Sequence, residues 1–409
     1  MKAFPACIKN FLKTVLWAAA VSVVLVLVFL AVGAMTDFRP GGREPVYEYA
    51  GTGLCGSSGG YSGVAVAESG KIIPDTLKIV TWNIGYGGLG DDMDFFYDGG
   101  TRMRCSEERT RENLAAIVRE LKSMDADIYL LQEVDEASRR SYMINELELL
   151  REAFPDYCLY FAYNYKSFFV PIPLSNPLGK VSSGVAILSR YRPEKVERLS
   201  YPSRFPFPVS MFNLKRCLLA AEYRLPDGNR LVIANTHNTA YDTGGMRLQE
   251  TDFLAGWADS LCREGAVVLV GGDWNQYPPG YLPSEEETCN PHFAVAPLDL
   301  SGLGSCGRVV YDTDEKTLRY LDRPFSEGPV QSVTDYFFIS GISGGLHAGQ
   351  AELCGKAEVC SPAEVCGKVE LCGSAEVCGK AELYGPVEVC GNSGFRHGDH
   401  RPVEVNIVM

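Results

Sequence analysis

The sequence predicts a layered α/β domain of stacked β-sheets flanked by helices, with one apolar helix in front of it. Many short apolar segments alternate with only a few long amphipathic ones, which is typical of sheets covered by helices. The 409 residues are 46% hydrophobic and 22% charged, enough to bury the core of one large domain. This balance excludes a largely disordered protein, and the presence of a single long apolar stretch excludes a multi-span transporter.

The net charge of −13 limits how the chain can bind phosphate groups. An acidic chain has no overall field that draws it onto nucleic acid or anionic lipid. Any phosphate chemistry therefore has to depend on local groups or on a bound cation.

The N-terminal residues predict a membrane anchor. Residues 14–35 contain no charged side chain and form a stretch long enough to span a bilayer, which takes about 20 apolar residues. Three lysines within residues 1–13 favour a cytoplasmic N-terminus. The alternative is a signal peptide that is cleaved after the small residues 32–34 and leaves a secreted protein. Under both interpretations the rest of the chain lies outside the cytoplasm.

One domain is expected after a linker. Residues 36–75 are rich in Gly, Ser, Pro and Tyr and predict the linker, and residues 76–409 predict the domain. Its helices are expected at 106–123 and 246–262, and its strands at 77–83, 128–133, 184–189, 217–224, 230–237, 266–273, 333–339 and 402–408.

Seven hexapeptide units fill residues 351–392, between the last two predicted strands: AELCGK, AEVCSP, AEVCGK, VELCGS, AEVCGK, AELYGP and VEVCGN. A six-residue period occurs in left-handed β-helices, but seven units would make only a couple of coils without recognisable caps. We interpret the tract as an insertion in a surface loop. Its cysteine spacing is unlike that of a zinc site, and outside the cytoplasm these cysteines could form intermolecular disulfides that mediate self-association.

Polar side chains stand at the ends of several apolar strands, where they can converge on one edge of the stacked sheets. Any one of them alone would be an ordinary turn or cap residue. Their repeated occurrence favours a shared site. The residues are Asn83, Glu133, His237, Asp273, Asn275, Asp335, Asp399 and His400.

With their neighbours, these residues resemble the endonuclease/exonuclease/phosphatase superfamily of deoxyribonuclease I-like phosphoesterases. The resemblance covers residues 77–409 and implies a four-layer α/β sandwich of two packed mixed β-sheets flanked by helices. It also implies a metal-dependent hydrolase that acts on phosphoester bonds. Two departures are Trp274, where many members carry Phe or Leu, and the repeat tract. The matching motifs are Thr81-Trp82-Asn83, Leu131-Gln132-Glu133-Val134, Asn235-Thr236-His237, Gly272-Asp273-Trp274-Asn275, Thr334-Asp335-Tyr336 and Gly398-Asp399-His400-Arg401-Pro402-Val403.

The resemblance implies a metal site at Glu133, Asp399 and Asn83. Glu133 is a hard oxygen ligand suited to Mg²⁺, and Mn²⁺ is the alternative ion. Asn83 would orient that carboxylate or touch a phosphate oxygen, and Asp399 would help to hold the metal.

The catalytic roles are also those that the resemblance implies. Asp273 would take a proton from an attacking water that Asn275 positions. His400, paired with Asp335, would act as general acid or base near the phosphate. His237 would donate to a non-bridging oxygen or protonate the leaving group.

The substrate stays open at this stage. Nucleic acid is the default for the superfamily, and the alternative is a phospholipid head group, as for sphingomyelinase- or phosphoinositide-phosphatase-like members. Arg216, Tyr163 and Asn164 are candidate substrate-binding residues, although a solvated basic pair explains Lys215-Arg216 equally well. A catalytically silent surface scaffold is the remaining alternative, and it would show a broken motif set.

Overall fold

The computed structural model describes residues 6–49, 72–242, 245–289, 295–298, 307–340, 357–360, 382–383, 388–390 and 394–408. Within these residues the α-helices are α1 (Ala6–Thr36), α2 (Glu107–Met124), α3 (Glu146–Ala153), α4 (Met246–Arg263) and α5 (Glu285–Thr288). The strands are β1 (Arg43–Pro45), β2 (Thr76–Asn83), β3 (Ile128–Asp135), β4 (Cys158–Val170), β5 (Gly179–Ser189), β6 (Lys195–Ser200), β7 (Cys217–Arg224), β8 (Arg230–His237), β9 (Val267–Asp273), β10 (Gln276–Tyr277), β11 (Ala296–Pro297), β12 (Gly307–Asp312), β13 (Leu318–Arg319), β14 (Gln331–Ser332), β15 (Asp335–Ser340), β16 (Ala357–Cys360), β17 (Glu382–Leu383), β18 (Glu388–Val389) and β19 (Val403–Val408).

Two mixed sheets form the centre of the domain. The first has the strand order β17-β19-β2-β3-β5-β4, with β18 also paired to β19, and only β2 and β3 run parallel among its described strands. The second has the order β1-β6-β7-β8-β9-β15-β12-β16, and there the parallel pair is β8 and β9. Each sheet thus contains one parallel pair at its centre.

The domain has four layers, two sheets between two layers of helices, and an apolar cluster fills each of the three spaces between them. On β2, Leu77 and Ile79 face the second sheet, whereas Val80 and Trp82 face α2 and α3. This alternation follows from the two-residue period of a strand. The outer face of the second sheet packs on α4 through a third cluster. The predicted four-layer sandwich of mixed sheets flanked by helices is confirmed.

The predicted elements occur within a few residues of their expected bounds, but β4, β6, β12 and α3 were not expected from the sequence. β4 shows why, because its register against β5 shifts twice and its apolar alternation is broken at each shift. α2 begins where the sequence predicts, since the side chain of Ser106 accepts a hydrogen bond from Arg109 N and caps the helix.

The N-terminal helix is docked on the domain. Residues Asn10–Thr36 of α1 are long and apolar enough to cross a membrane. The residues that follow α1 were expected to be part of the linker, but they form β1, which pairs with β6 at the edge of the second sheet. Further along, Tyr49 N donates a hydrogen bond to Leu159 O at 2.7 Å. This start of the predicted linker is ordered because the sheet edge satisfies its backbone polar groups; residues 50–71 lie outside the described residues.

The hexapeptide tract contributes three short strands to the described structure. β16 pairs with β12 at the edge of the second sheet, and β17 and β18 pair with β19 at the edge of the first. Most of the tract lies outside the described residues, and its predicted self-association falls there.

Asn235 tests the polar link between the two sheets. Its side chain is fully buried, and its Nδ2 donates to Leu131 O and Ala186 O, each at 2.8 Å. We expect Asn235→Ala to lower the free energy of unfolding by about 3 kcal/mol, because two carbonyls of the other sheet lose their donor. Thermal unfolding of the full chain in detergent micelles measures this. The exposed Asn229→Ala is the control, and equal midpoints for both variants would contradict the prediction.

Candidate active site

The sheet pairings bring the predicted site residues to one edge. Parallel neighbours end at the same edge, so β2 and β3 place Asn83 near Glu133, and β8 and β9 place His237 opposite Asp273. β15 runs antiparallel to β9, and its first residue, Asp335, is therefore also opposite Asp273. β19 runs antiparallel to β2, so the segment just before β19, which carries Asp399 and His400, lies at the same edge. Asn275, two residues after Asp273, completes the predicted set.

Asn83 joins the two sheets at this edge. Its Nδ2 donates to Asp273 Oδ2 at 3.1 Å, and its Oδ1 accepts from Gly85 N at 3.1 Å. Both ends of the amide are thus engaged within the protein. The side chain thereby holds the carboxylate of Asp273, and its expected role at the metal stays a prediction.

Asp273 is a buried carboxylate with both oxygens fixed. Its Oδ1 accepts from Asn275 N at 3.0 Å, in a tight turn where Asn275 has φ +51°. The preceding Gly272 has no room for a side chain, because a Cβ would lie 2.0 Å from Thr236 O. Burial raises the pKa of Asp273 to about 7, against the opposing charge of His400.

His400 and Asp335 form a buried ion pair. His400 Nδ1 lies 2.8 Å from Asp335 Oδ2, while Nε2 faces Asp273 Oδ2 at 3.7 Å and Asp399 Oδ2 at 3.8 Å. Burial alone would lower the pKa of His400, but these carboxylates, Asp335 first, raise it well above its usual value. Trp82 Nε1 donates to His400 O at 3.0 Å and fixes the backbone there. The ring is therefore held as an imidazolium whose Nε2 points into the site.

His237 differs from His400 in charge. Its Nε2 lies 3.5 Å from Asp273 Oδ2 and 4.0 Å from Glu133 Oε1. Burial lowers the pKa of His237 well below its usual value, and the nearby cations Arg216 and His400 lower it further. The site thus combines a neutral and a charged imidazole on two sides of one carboxylate.

Arg140 holds Glu133 in place and was not expected from the sequence. Glu133 has φ +54° where the register of β3 against β5 shifts, so its side chain leaves the strand. Arg140 Nη1 lies 3.3 Å from Glu133 Oε2, and its Nε and Nη2 donate to Asp135 at 3.1 and 3.0 Å. The guanidinium stacks 3.7 Å above the ring of Tyr86. The loop that carries Arg140 has no periodic pattern that would have pointed to it.

Glu133 and Asp399 fit a hard divalent cation. Asp399 Oδ1 is buried without a hydrogen-bond partner among the described residues, and a Cβ at Gly85 would lie 3.0 Å from it. Burial raises the pKa of Asp399 to about 6; His400 opposes the shift and Glu133 adds to it. Two carboxylates with free acceptor capacity at one site are suited to Mg²⁺.

A second set of ligand atoms is less suited to a metal. Atoms of Asp273, Asp335 and His400 lie within 4.8 Å of one another. The Nδ1 position of His400 is already bound to Asp335, and a cation would meet a ring that its neighbours keep protonated. We therefore interpret this set as a proton-handling group.

The site residues other than Asp335 line a cavity of about 420 Å³, together with a set of apolar side chains. Of the three candidate substrate-binding residues, Arg216 and Asn164 line it. Tyr163 does not; its hydroxyl donates to Glu136 Oε2 at 2.5 Å instead. Asp98 and Tyr241 also line the cavity, and the Tyr241 hydroxyl donates a hydrogen bond to Asp98 Oδ1. Neither residue belongs to a motif that the sequence analysis identified. Burial raises the pKa of Asp98 to about 7.

The ion pairs of Arg140 should contribute substantially to the free energy of unfolding of the domain. We expect Arg140→Met to lower the free energy of unfolding by about 3–5 kcal/mol, because Asp135 would be left charged and fully buried. Thermal unfolding in micelles measures the loss, with the exposed Arg119→Met as control. The double variant Arg140→Met/Asp135→Asn should recover part of it, and additive losses would contradict this explanation.

Comparison with known proteins identifies the family. A model described as the endonuclease/exonuclease/phosphatase family matches residues 80–349, more than half of the chain. No curated protein matches the chain by sequence. Among solved structures it is similar to D. rerio TDP2 complexed with a single-strand DNA product, with 12% identity, 82% of this chain and 99% of that chain covered, and a TM-score of 0.46.

Two similar bacterial structures are described as endonuclease/exonuclease/phosphatase proteins. The one from Bacteroides vulgatus has 14% identity, covers 82% of this chain and 99% of its own, and has a TM-score of 0.46. The one from Beutenbergia cavernae has 15% identity, 82% and 72% coverage, and a TM-score of 0.46. On the match of the family model, the chain belongs to the endonuclease/exonuclease/phosphatase family and is a metal-dependent hydrolase of phosphoester bonds.

Proposed function

We propose that this chain is a membrane-anchored, Mg²⁺-dependent phosphodiesterase that uses a water activated by Asp273. The observation that carries the proposal is that one cavity contains both a set of possible metal ligands and a set of proton-transfer groups. Glu133 and Asp399 offer oxygen ligands, and beside them Asp273 lies between a neutral and a charged histidine. Phosphoester hydrolysis needs both a cation for the phosphate charge and a group that takes the proton of water.

Glu133 and Asp399 would hold the metal ion. When bound, it supplies charge for the phosphoryl oxygens in the transition state. The oxygen donors favour Mg²⁺, with Mn²⁺ as the alternative, over softer ions. Asn83 acts here as a positioning residue, since its amide is already bound to Asp273 and Gly85.

Asp273 is the general base. It accepts a proton from water as the water oxygen bonds to phosphorus and the bond from phosphorus to the leaving oxygen breaks. The hydrogen bonds from Asn275 N and Asn83 Nδ2 fix both carboxylate oxygens, so one orientation is kept during the reaction. The side chain of Asn275 lines the cavity and positions the water.

The two histidines serve the phosphate and the leaving group. His400, held by Asp335, presents a charged Nε2–H to a non-bridging oxygen, where negative charge grows. His237, held neutral, donates a hydrogen bond to the leaving oxygen, which takes its proton from solvent. Arg216 Nη1 donates to His237 O at 3.1 Å and secures that end of β8.

The anchoring helix is retained in this proposal, with residues 1–13 in the cytoplasm and the catalytic domain, residues 76–409, outside it. α1 packs against the domain rather than standing apart from it, which favours an anchor over a cleaved signal peptide. Cys158 and Cys262 are each in a disulfide, which suits an oxidising compartment.

The cavity favours a phospholipid head group over nucleic acid as the substrate. Its apolar wall offers a surface for an acyl chain, formed by Val170, Ile172, Leu178, Val209, Phe212 and Leu214. Among the described residues that line the cavity, the arginines are Arg140 and Arg216, and both are already bound within the protein. A polynucleotide needs exposed cations along its backbone. Nucleic acid, the default for the superfamily, is the second outcome of the test.

The assay that tests this function uses the full chain in micelles, with and without Mg²⁺, on sphingomyelin, a phosphoinositide and plasmid DNA. We expect hydrolysis of a lipid that depends on Mg²⁺ and falls about 10³-fold in Asp273→Asn, because the general base is lost. The exposed Asp252→Asn on α4 is the matched control. Near-normal turnover in Asp273→Asn would contradict the mechanism, and cleavage of DNA alone would identify a nuclease.

Direct metal binding tests the ligands separately. We expect Glu133→Gln and Asp399→Asn to weaken Mn²⁺ binding, measured by electron paramagnetic resonance, by about tenfold or more. Asp335→Asn should bind Mn²⁺ as the parent does, because its partner is His400 rather than the cation. The reverse pattern would place the metal at the Asp273, Asp335 and His400 group.

A further inference from the structure

An exposed apolar surface borders the mouth of the cavity. It consists of two segments, which we call the apolar collar: residues 168–174, at and just beyond the end of β4, and residues 207–212. Leu174 and Phe207 are 83% and 73% exposed, and Ile172 and Val209 are about half exposed. Ile172, Val209 and Phe212 also line the cavity, so the collar has one face in the site and one outside it.

The collar contacts the membrane helix directly. Phe29 of α1 stacks on Phe212 with ring centroids 5.2 Å apart, and it lies 5.6 Å from Phe168 and 6.3 Å from Phe169. One turn later, Gly33 leaves room for the ring of Phe212, which would lie 3.1 Å from a Cβ at that position. The helix and the collar therefore share an aromatic contact on one face of α1.

The depth of this contact in the bilayer follows from helix geometry. The charge-free stretch of residues 14–35 has about the length of a hydrocarbon core. Phe29 lies about 10 Å inside its outer end, at 1.5 Å per residue. Side chains that touch Phe29 must then lie at that depth as well. The collar reaches the bilayer wherever α1 spans it.

The chain between α1 and the domain keeps this arrangement fixed. Asp37 Oδ1, one residue after α1, lies 2.9 Å from Lys215 Nζ. Phe38 packs edge-on against Tyr163 at 6.0 Å, and β1 then pairs with β6. α1 is thus held against the domain by successive contacts, with no free stretch of chain between them.

We propose that the apolar collar is a second bilayer-binding surface, which inserts among the acyl chains of the outer leaflet and opens the cavity at the lipid–water boundary. The occupant is the same bilayer that α1 spans, since the aromatic contact joins the two surfaces. A lipid then enters past Ile172, Val209 and Phe212 without exposing its acyl chain to water. This inference rests on the proposed anchoring, and its first test does not require that the chain be an enzyme.

Quenching by brominated acyl chains measures the insertion. The full chain is reconstituted in vesicles of phosphatidylcholine with brominated acyl chains, and Leu174→Trp and Phe207→Trp are compared with the parent. Leu282→Trp is the matched control, because Leu282 is 88% exposed and lies outside the collar. We expect the fluorescence added by both collar tryptophans to be lost and that of the control to be kept. Unquenched collar tryptophans would overturn the proposal.

Activity on two kinds of substrate gives the second test. In the double variant Leu174→Asp/Phe207→Asp, we expect hydrolysis of lipid in phosphatidylcholine vesicles to fall about tenfold. Insertion of charged side chains among the acyl chains is unfavourable, so the collar would no longer bind the bilayer. Hydrolysis of soluble bis-p-nitrophenyl phosphate should be unchanged, and Leu282→Asp should act as the parent on both. An equal loss on both substrates, or none on vesicles, would contradict a role for the collar. Absence of all hydrolysis with quenched collar tryptophans would refute the proposed function and leave the collar supported.

Discussion

The register of β9 between β8 and β15 is the constraint on which the rest of the site depends. It sets Asp273 opposite both His237 and Asp335, and a shift by one residue would turn each of these side chains to the other face. Gly272 secures this register through its close approach to Thr236 O, where no other side chain fits. The hydrogen bond from Asn83 then ties the first sheet to the same carboxylate. One strand therefore aligns groups that three other strands supply.

The charges at this edge explain why it needs a cation. Four carboxylates, those of Glu133, Asp273, Asp335 and Asp399, meet there, and the cations close to them are Arg140, Arg216 and the imidazolium of His400. Arg140 is shared with the buried Asp135. Burial of unbalanced charge is costly, and here the pKa values of Asp273 and Asp399 are raised as a result. A divalent ion would remove this imbalance, so the same groups that lower stability without metal favour its binding.

The sequence alone was sufficient to predict site residues that stand at the end of a regular apolar strand. The strands that end in Asn83, His237 and Asp273 have apolar bodies with a polar last residue, and the structure has them within a residue of the expected bounds. It was insufficient where a side chain reaches the site from a loop. Arg140 and Asp98 lie on segments without periodicity, and their positions depend on how the loops fold over the edge. Tyr163 shows the converse, because its neighbour Asn164 lines the cavity while its own hydroxyl is bound to Glu136, and the register shift of β4 at this point hides the difference from the sequence.

If α1 anchors the chain as proposed, its docking on the domain changes what the anchor can do. A flexible linker would raise the local concentration of substrate lipid but would leave the orientation of the cavity free. Here the contact between Phe29 and Phe212 and the ion pair between Asp37 and Lys215 fix the domain relative to the helix. Exposed side chains such as Leu174 and Phe207 would promote aggregation in water, but they are buried once the same rigid unit enters a bilayer. In the proposed anchoring, the apolar collar and the helix form one membrane-binding body, and its shape would turn the cavity towards lipid.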